Sequence, residues 1–351
     1  METMTIHSDK AFDHFDASTA AKDDCIYRSV YADVFYLYTC AITPVVIVGI
    51  ILNLMNLVVL RRMEKSHQSV FLLRFLAACD FLFLIVCLVY FFIRHMTVYF
   101  TNRIEVFARE DGKIGKLLYN ITIPFYRISL MARNWLIVLI TFERFMHIAF
   151  PLWAKVHCTK GTLSVVVVSI ACFIIGLCSP VYLAQTITET INPCTDLPEI
   201  DFVKPPWASQ FLSITYLVFI LYTPIVCIYV MNIVLIVAVR RAHSHRSKMA
   251  ARSMAVSGSG KEAETSQTNA TAMVLSIIIV FTVFETPTCI DRLATLVGFE
   301  FTNDSFFKQY SRKISLFLVI MDSTMNFFAY CLSNRAFRKN ILWLFHFVND
   351  R

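Results

Sequence analysis

The chain has 351 residues, 57% of them hydrophobic and 16% charged, against about 45–50% and about 25% in soluble domains. The net charge of +7 does not point to nucleic acid, because most basic residues sit between apolar runs and not on one patch. Eleven cysteines without a C-x-x-C pair and nine histidines without an H-x-x-x-H argue against a redox site, a zinc site and a secreted disulfide scaffold.

Residues 1–33 carry Asp9, Asp13, Asp16, Asp23, Asp24 and Asp33 and contain no apolar core. They read as an acidic tail without a signal peptide, which leaves insertion to the first apolar run. A helix needs about 20 largely apolar residues to cross about 30 Å of hydrocarbon, because every backbone amide there must be paired internally. Charge-free runs therefore count as spans. Val34 to Leu60 is the first, Phe75 to Ile93 with Asp80 the second, and Leu117 to Phe142 with Arg127 and Arg133 the third. Gly161 to Thr188 and Pro205 to Val239 are the fourth and fifth. Thr271 to Ile290 with Glu285 and Ile314 to Leu332 with Asp322 are the sixth and seventh. The expected fold is an all-α membrane protein, a seven-helix bundle over residues 34–333.

Basic residues at the span ends set the orientation. Arg61, Arg62, Lys65, Lys155, Lys160, Arg240, Arg241, Arg335, Arg338 and Lys339 all fall on one side, taken as the cytoplasm. The acidic tail then lies outside, as does Asn303-Asp304-Ser305, a sequon for N-glycosylation at Asn303. Between spans two and three, Arg103, Arg109, Lys113 and Lys116 alternate with Glu105, Glu110 and Asp111 in what reads as a long outer loop. Residues 241–269, rich in small polar side chains, read as a mobile cytoplasmic loop. Residues 334–351 read as a tail containing a short amphipathic helix, with Phe337, Ile341, Leu344 and Phe345 on its apolar face and Arg338 and Lys339 opposite. No internal repeat of the transporter kind is present.

Ionisable groups inside a span cost about 2.5–3.5 kcal/mol each on insertion scales, so each calls for a partner or a function. Asp80, Arg133, Glu285 and Asp322 are four such groups, and Asn53 and Asn326 lie at similar depth. They read either as helix-to-helix hydrogen bonding or as a polar switch coupling the two membrane faces. Arg133 is expected to pair with Asp80, since either charge alone is costly to bury.

Five short motifs, each in its own span, carry a resemblance. These are Leu76-Ala77-Ala78-Cys79-Asp80, Glu143-Arg144-Phe145 with Trp135 upstream, Pro224, Phe281 followed by Pro287, and Asn326-Phe327-Phe328-Ala329-Tyr330. Together they resemble the rhodopsin-class G protein-coupled receptors over all seven spans. Asn53-Leu54-Met55-Asn56, Asn232 and a Glu before Pro287 resemble the invertebrate FMRFamide and myosuppressin-type neuropeptide receptors more narrowly.

The resemblance implies a receptor and not an enzyme, with no cofactor or metal. It implies that an extracellular peptide shifts an inactive-to-active equilibrium and that a heterotrimeric G protein is the cytoplasmic partner. Glu143, Arg144, Phe145, Phe281, Pro287, Asn326 and Tyr330 would form the coupling switch, with Asn53, Asp80, Arg133 and Asp322 as its polar core. Tyr90, Arg94, Tyr126, Arg127, Glu285, Asp291 and Arg292 would line the ligand cavity. Aromatic and charged groups together suit a peptide of RF-amide type; a small-molecule chemosensory ligand with the same output is the alternative. Glu285 would meet either a basic ligand group or an internal partner, and Arg94 and Arg292 either face the cavity or snorkel to headgroups.

The chain departs from the family at Leu117-Leu118-Tyr119, where a cysteine is usual, in a fourth span without tryptophan, at Phe145, and at Arg133, where a small polar residue is common. By the topology above, Cys25 and Cys194 are the cysteines on the oxidising side. They are either bonded, folding the acidic tail over the cavity, or free thiols.

Overall fold

The structure is a computed structural model. It describes residues 37–63, 68–103, 107–191, 198–215, 218–219, 222–234, 237, 261–296 and 305–349. Six helices in it are long and apolar enough to cross a membrane: Cys40–Met63, Val70–Tyr90, Asn120–Ala149, Lys160–Pro180, Val274–Asp291 and Ile314–Ser333. The fifth span is represented by two shorter pieces, Pro206–Thr215 and the apolar helix Thr223–Val234. Where they are described, the charge-free runs are mainly helix, the one open structure that pairs all its own amides in hydrocarbon.

Four local expectations are revised. The helices of spans two and three run Gln68–Arg103 and Phe107–Ala149, so most of the outer loop expected between them is helical. All its charges but Asp111 belong to Arg, Lys and Glu, which are good helix formers, and no proline occurs between Pro44 and Pro124 to stop either helix. The sixth-span helix begins at Lys261, so residues 261–269 are its first turns and not loop. The fourth-span helix ends at Leu183. Beyond it, Thr186–Ile191 pairs antiparallel with Pro198–Val203, with Thr186 opposite Val203 and Ile191 opposite Pro198. The alternating Thr and Ile of the first strand favour this hairpin, which adds a two-stranded sheet to an otherwise helical fold. A short helix, Pro151–His157, joins spans three and four, with proline at its first turn.

After span seven, Arg335–Asn349 is helical. The Asn334 side chain caps it, accepting from the backbone N–H of Ala336 at 2.9 Å and of Phe337 at 3.1 Å. Phe337 is buried against Tyr330, ring centroids 5.4 Å apart. Arg338 donates to the last carbonyls of the seventh helix, Cys331 at 2.7 Å and Leu332 at 3.1 Å. Arg62 lies over the Trp343 ring at 3.3 Å and pins this helix to the first.

The bundle buries two apolar clusters. One includes Leu72, Leu76, Ile137, Ile140, Ile277, Phe281, Tyr330 and Phe337. The other includes Ile42, Val46, Phe83, Leu84, Leu130, Met131 and Ile320. Phe83 from the second and Phe281 from the first both face the Arg133 guanidinium, at 5.9 Å and 6.0 Å. The polar centre of the protein therefore sits between its two apolar layers.

Candidate functional site

Arg133 is fully buried, with 0% of its surface exposed. A guanidinium has five N–H donors in a planar fork and no acceptor, so burial demands oxygens around it. Three spans supply them. Nε lies 3.0 Å from Asp80 Oδ1 on the second helix. Nη1 lies 3.1 Å from Glu285 Oε1 on the sixth and donates to Asn134 Oδ1 at 3.3 Å. Nη2 pairs with Asp322 Oδ2 on the seventh. The expected Arg133–Asp80 contact is present, and it is one arm of a four-residue cluster in which Glu285 and Asp322 are only 2% and 1% exposed. Of the two partners considered for Glu285, the structure gives it the internal one, a guanidinium.

Hydrogen bonds extend the cluster toward the first helix and the inner face. Asn326 Nδ2 donates to Asp80 Oδ2 at 2.7 Å. Asn53 Nδ2 donates to the carbonyls of Ser323 and Gly49, both at 3.0 Å, and Asn56 donates to Asn53 Oδ1 at 3.4 Å. Helices one, two, three, six and seven are thus joined through polar contacts in a low-dielectric interior, where such bonds are electrostatically stronger than in water. Asn134 and Ser323 were not singled out from sequence. Their one signal was position, one residue from an intramembrane charge in each case.

At the inner end of the third helix, Arg144 Nε lies 3.3 Å from Glu143 Oε2, and both side chains are buried. His147 Nδ1 is 3.1 Å from Glu143 Oε1, one helical turn on. Phe145 packs edge-on to Phe150 at 6.1 Å. Phe281 is buried in the inner apolar cluster. Pro287 interrupts the sixth-span helix, and beside it Thr288 donates to the Ser315 carbonyl at 3.4 Å. Cys158, outside the spans, has its thiol pushed up by burial and then by the Glu143 charge, which keeps it protonated and unreactive.

Toward the outer side, Tyr90 and Tyr126 stack with centroids 5.9 Å apart, and Tyr126 also meets Phe83 at 5.7 Å. These rings lie about two turns outward of Arg133 and form an aromatic shelf above the cluster. Arg127 and Asp291 are half-buried. Lys204, just after the hairpin, sits 5.3 Å from the Tyr182 ring; its ammonium is depressed by partial burial and then by Arg127. Lys204 was missed from sequence, although it is the lone charge between the hairpin and Pro205-Pro206. The side chains of Arg94 and Arg292, together with Cys25, Cys194 and Asn303, lie outside the described residues.

A bundle of membrane helices thus encloses a buried ionic centre, with an acid–arginine pair at one end. The chain belongs to the 7 transmembrane receptor (rhodopsin family), whose pattern it matches over residues 52–330. It is a receptor of that family, a multi-pass membrane protein and not an enzyme. Among curated proteins it is similar to the FMRFamide receptor of Drosophila melanogaster, 20% identical over 318 residues, which is 89% of this chain and 54% of that protein. The chain therefore spans about half the length of the relative it matches.

Proposed function

We propose that this receptor answers an extracellular amidated peptide of RF-amide type and activates a heterotrimeric G protein across the plasma membrane. Residues 1–33 lie outside, the loop between spans five and six and the tail 334–351 lie in the cytoplasm, and the surrounding bilayer is the remaining partner. The observation that carries the coupling half is the buried Glu143–Arg144 contact at 3.3 Å. Glu143 holds the guanidinium against its own helix, so an activated receptor has a charged donor to release toward a partner's backbone. Pro287 removes an intrahelical hydrogen bond and lets the inner half of helix six swing. Phe145, Phe281, Asn326 and Tyr330 pack around that movement.

The peptide half rests on the likeness to a receptor named for FMRFamide and on the composition of the outer cavity. Tyr90 and Tyr126 offer a stacked aromatic floor, while Arg94, Arg127, Asp291 and Arg292 offer charged partners for a peptide's backbone and side chains. A small amine needs an acid next to Tyr126 on helix three, and the residues there are Phe125, Arg127 and Ile128. Because Glu285 is engaged by Arg133, the ligand's arginine is assigned to Asp291.

The test is a screen of amidated peptides and of volatile small molecules on cells carrying a promiscuous Gα. RF-amide peptides should elicit the response, and a response to volatiles alone rejects the peptide reading. With an active peptide in hand, replacing its arginine by citrulline should weaken wild type far more than Asp291→Asn. Equal losses in both reject the Asp291 contact.

A further inference from the structure

We propose that the Arg133 cluster is a proton-binding site, in which Asp80 is the anion and Glu285 and Asp322 are carboxylic acids. Three carboxylates converge on one guanidinium through Nε, Nη1 and Nη2, and none of the four side chains is more than 2% exposed. If all were ionised, two negative charges would stand uncompensated between the apolar layers of the bundle. Isolated carboxylates in such surroundings bind protons in preference to remaining charged.

The contacts also say which carboxylate stays ionised. Asp80 faces the Arg133 Nε at 3.0 Å and accepts from the Asn326 amide at 2.7 Å; a cation and a hydrogen-bond donor together favour the charged form. Glu285 receives Arg133. Asp322 is ion-paired with Arg133 through Oδ2 and, unlike Asp80 and Glu285, accepts a hydrogen bond on neither of its buried oxygens. An acceptor orphaned in this way is costly as part of an anion and far less so as part of a neutral acid.

Among the described residues, the remaining titratable groups set beside the cluster come from its own helices. Cys79 and Tyr330 sit beside Asp80, Cys87 beside Arg133 and Cys289 beside Glu285. None of them is a cation. Arg133 is the positive group that acts on Asp80 and on Glu285, so the balance of charge falls to protons.

The consequence for signalling rests on the reading that helix six moves when the receptor is activated. That movement takes Glu285 away from Arg133 and toward water, where a carboxyl gives up its proton more readily than in a dry interior. The closed form holds more protons than the open one. Acid therefore favours the closed form, and ligand-independent nucleotide exchange falls as pH is lowered.

The proton site itself is tested without ligand or G protein, by infrared absorption of the purified receptor in lipid nanodiscs at neutral pH, with and without sodium. Two carboxylic acid carbonyl bands should be present, shift on deuterium exchange and persist in sodium. Glu285→Gln should remove one and Asp322→Asn the other, while Asp80→Asn removes neither. Gln and Asn have the shape of the protonated acids, so both variants should melt within a few degrees of wild type. The proposal is overturned by absence of the bands, by their loss in Asp80→Asn, or by their disappearance when sodium is added, which would assign the compensation to a metal cation. A collapse in stability of both amide variants overturns it too, since it would show that ionised carboxylates are required. Failure of the peptide screen leaves these bands untouched, and failure of the bands leaves the receptor reading untouched.

Discussion

Replacing Arg133 by methionine removes the one cation that the described residues place in a site shared by four helices, at nearly constant side-chain volume. Breaking a buried ion pair by deleting one partner costs about 3–5 kcal/mol. With Glu285 and Asp322 neutral, one such loss is incurred and not three, because Asp80 alone is left as an unpaired anion. Asn326 continues to donate to it, which places the expected cost near the lower bound. At about 2–4 °C per kcal/mol for chains of a few hundred residues, Arg133→Met should melt about 6–12 °C below wild type, and surface expression should fall with it. The double variant Arg133→Met, Asp80→Asn should recover most of that loss, since a buried pair replaced by neutral groups is often energetically neutral. Thermal unfolding of the purified receptor in nanodiscs, followed by tryptophan fluorescence, measures both. A single variant that melts with wild type, or a double variant no better than the single, refutes the reasoning.

Arg144→Ala should retain surface expression and ligand binding while abolishing guanine nucleotide exchange on the G protein; exchange at the wild-type rate contradicts the switch role. A methyl group added at Gly49 would lie 2.5 Å from Thr324 Oγ1 and 2.9 Å from Leu84 Cδ1. Gly49→Ala should therefore destabilise by about 1–3 kcal/mol through overpacking, and Thr324→Ala in the same chain should recover part of the loss; no recovery would place the clash at Leu84 and not at Thr324. Peptide mapping under non-reducing conditions should recover Cys25 linked to Cys194, whereas separately alkylated thiols would reject the bond.

The spans, their order and their polar interruptions were legible in the linear chain because hydrocarbon imposes one rule on every residue it surrounds. Backbone amides must pair locally, so a charge-free run of sufficient length is a helix whatever its neighbours do. The inner-end residues were legible for a similar reason: Glu143 and Arg144 are adjacent, and Phe337, Ile341 and Leu344 repeat at helical spacing. Where water replaced lipid the rule lapsed, and the same reading failed. The outer ends of helices two and three, the first turns of helix six and the 186–203 hairpin depend on propensity and packing, which charge counting does not register.

Of the acids around Arg133, Asp80 was expected from the sequence, while Glu285 and Asp322 were joined to it by the tertiary structure alone. Asp80, Glu285 and Asp322 are each conspicuous as intramembrane acids, and a single arginine had to be balanced by at least one of them. Sequence spacing could suggest the depth of each but not the rotation of its helix, and rotation decides whether a side chain points inward or along a neighbouring face. Packing of helices two, three, six and seven turns all three acids onto one guanidinium. The excess of negative charge, and with it the case for bound protons, exists only once those four helices are assembled.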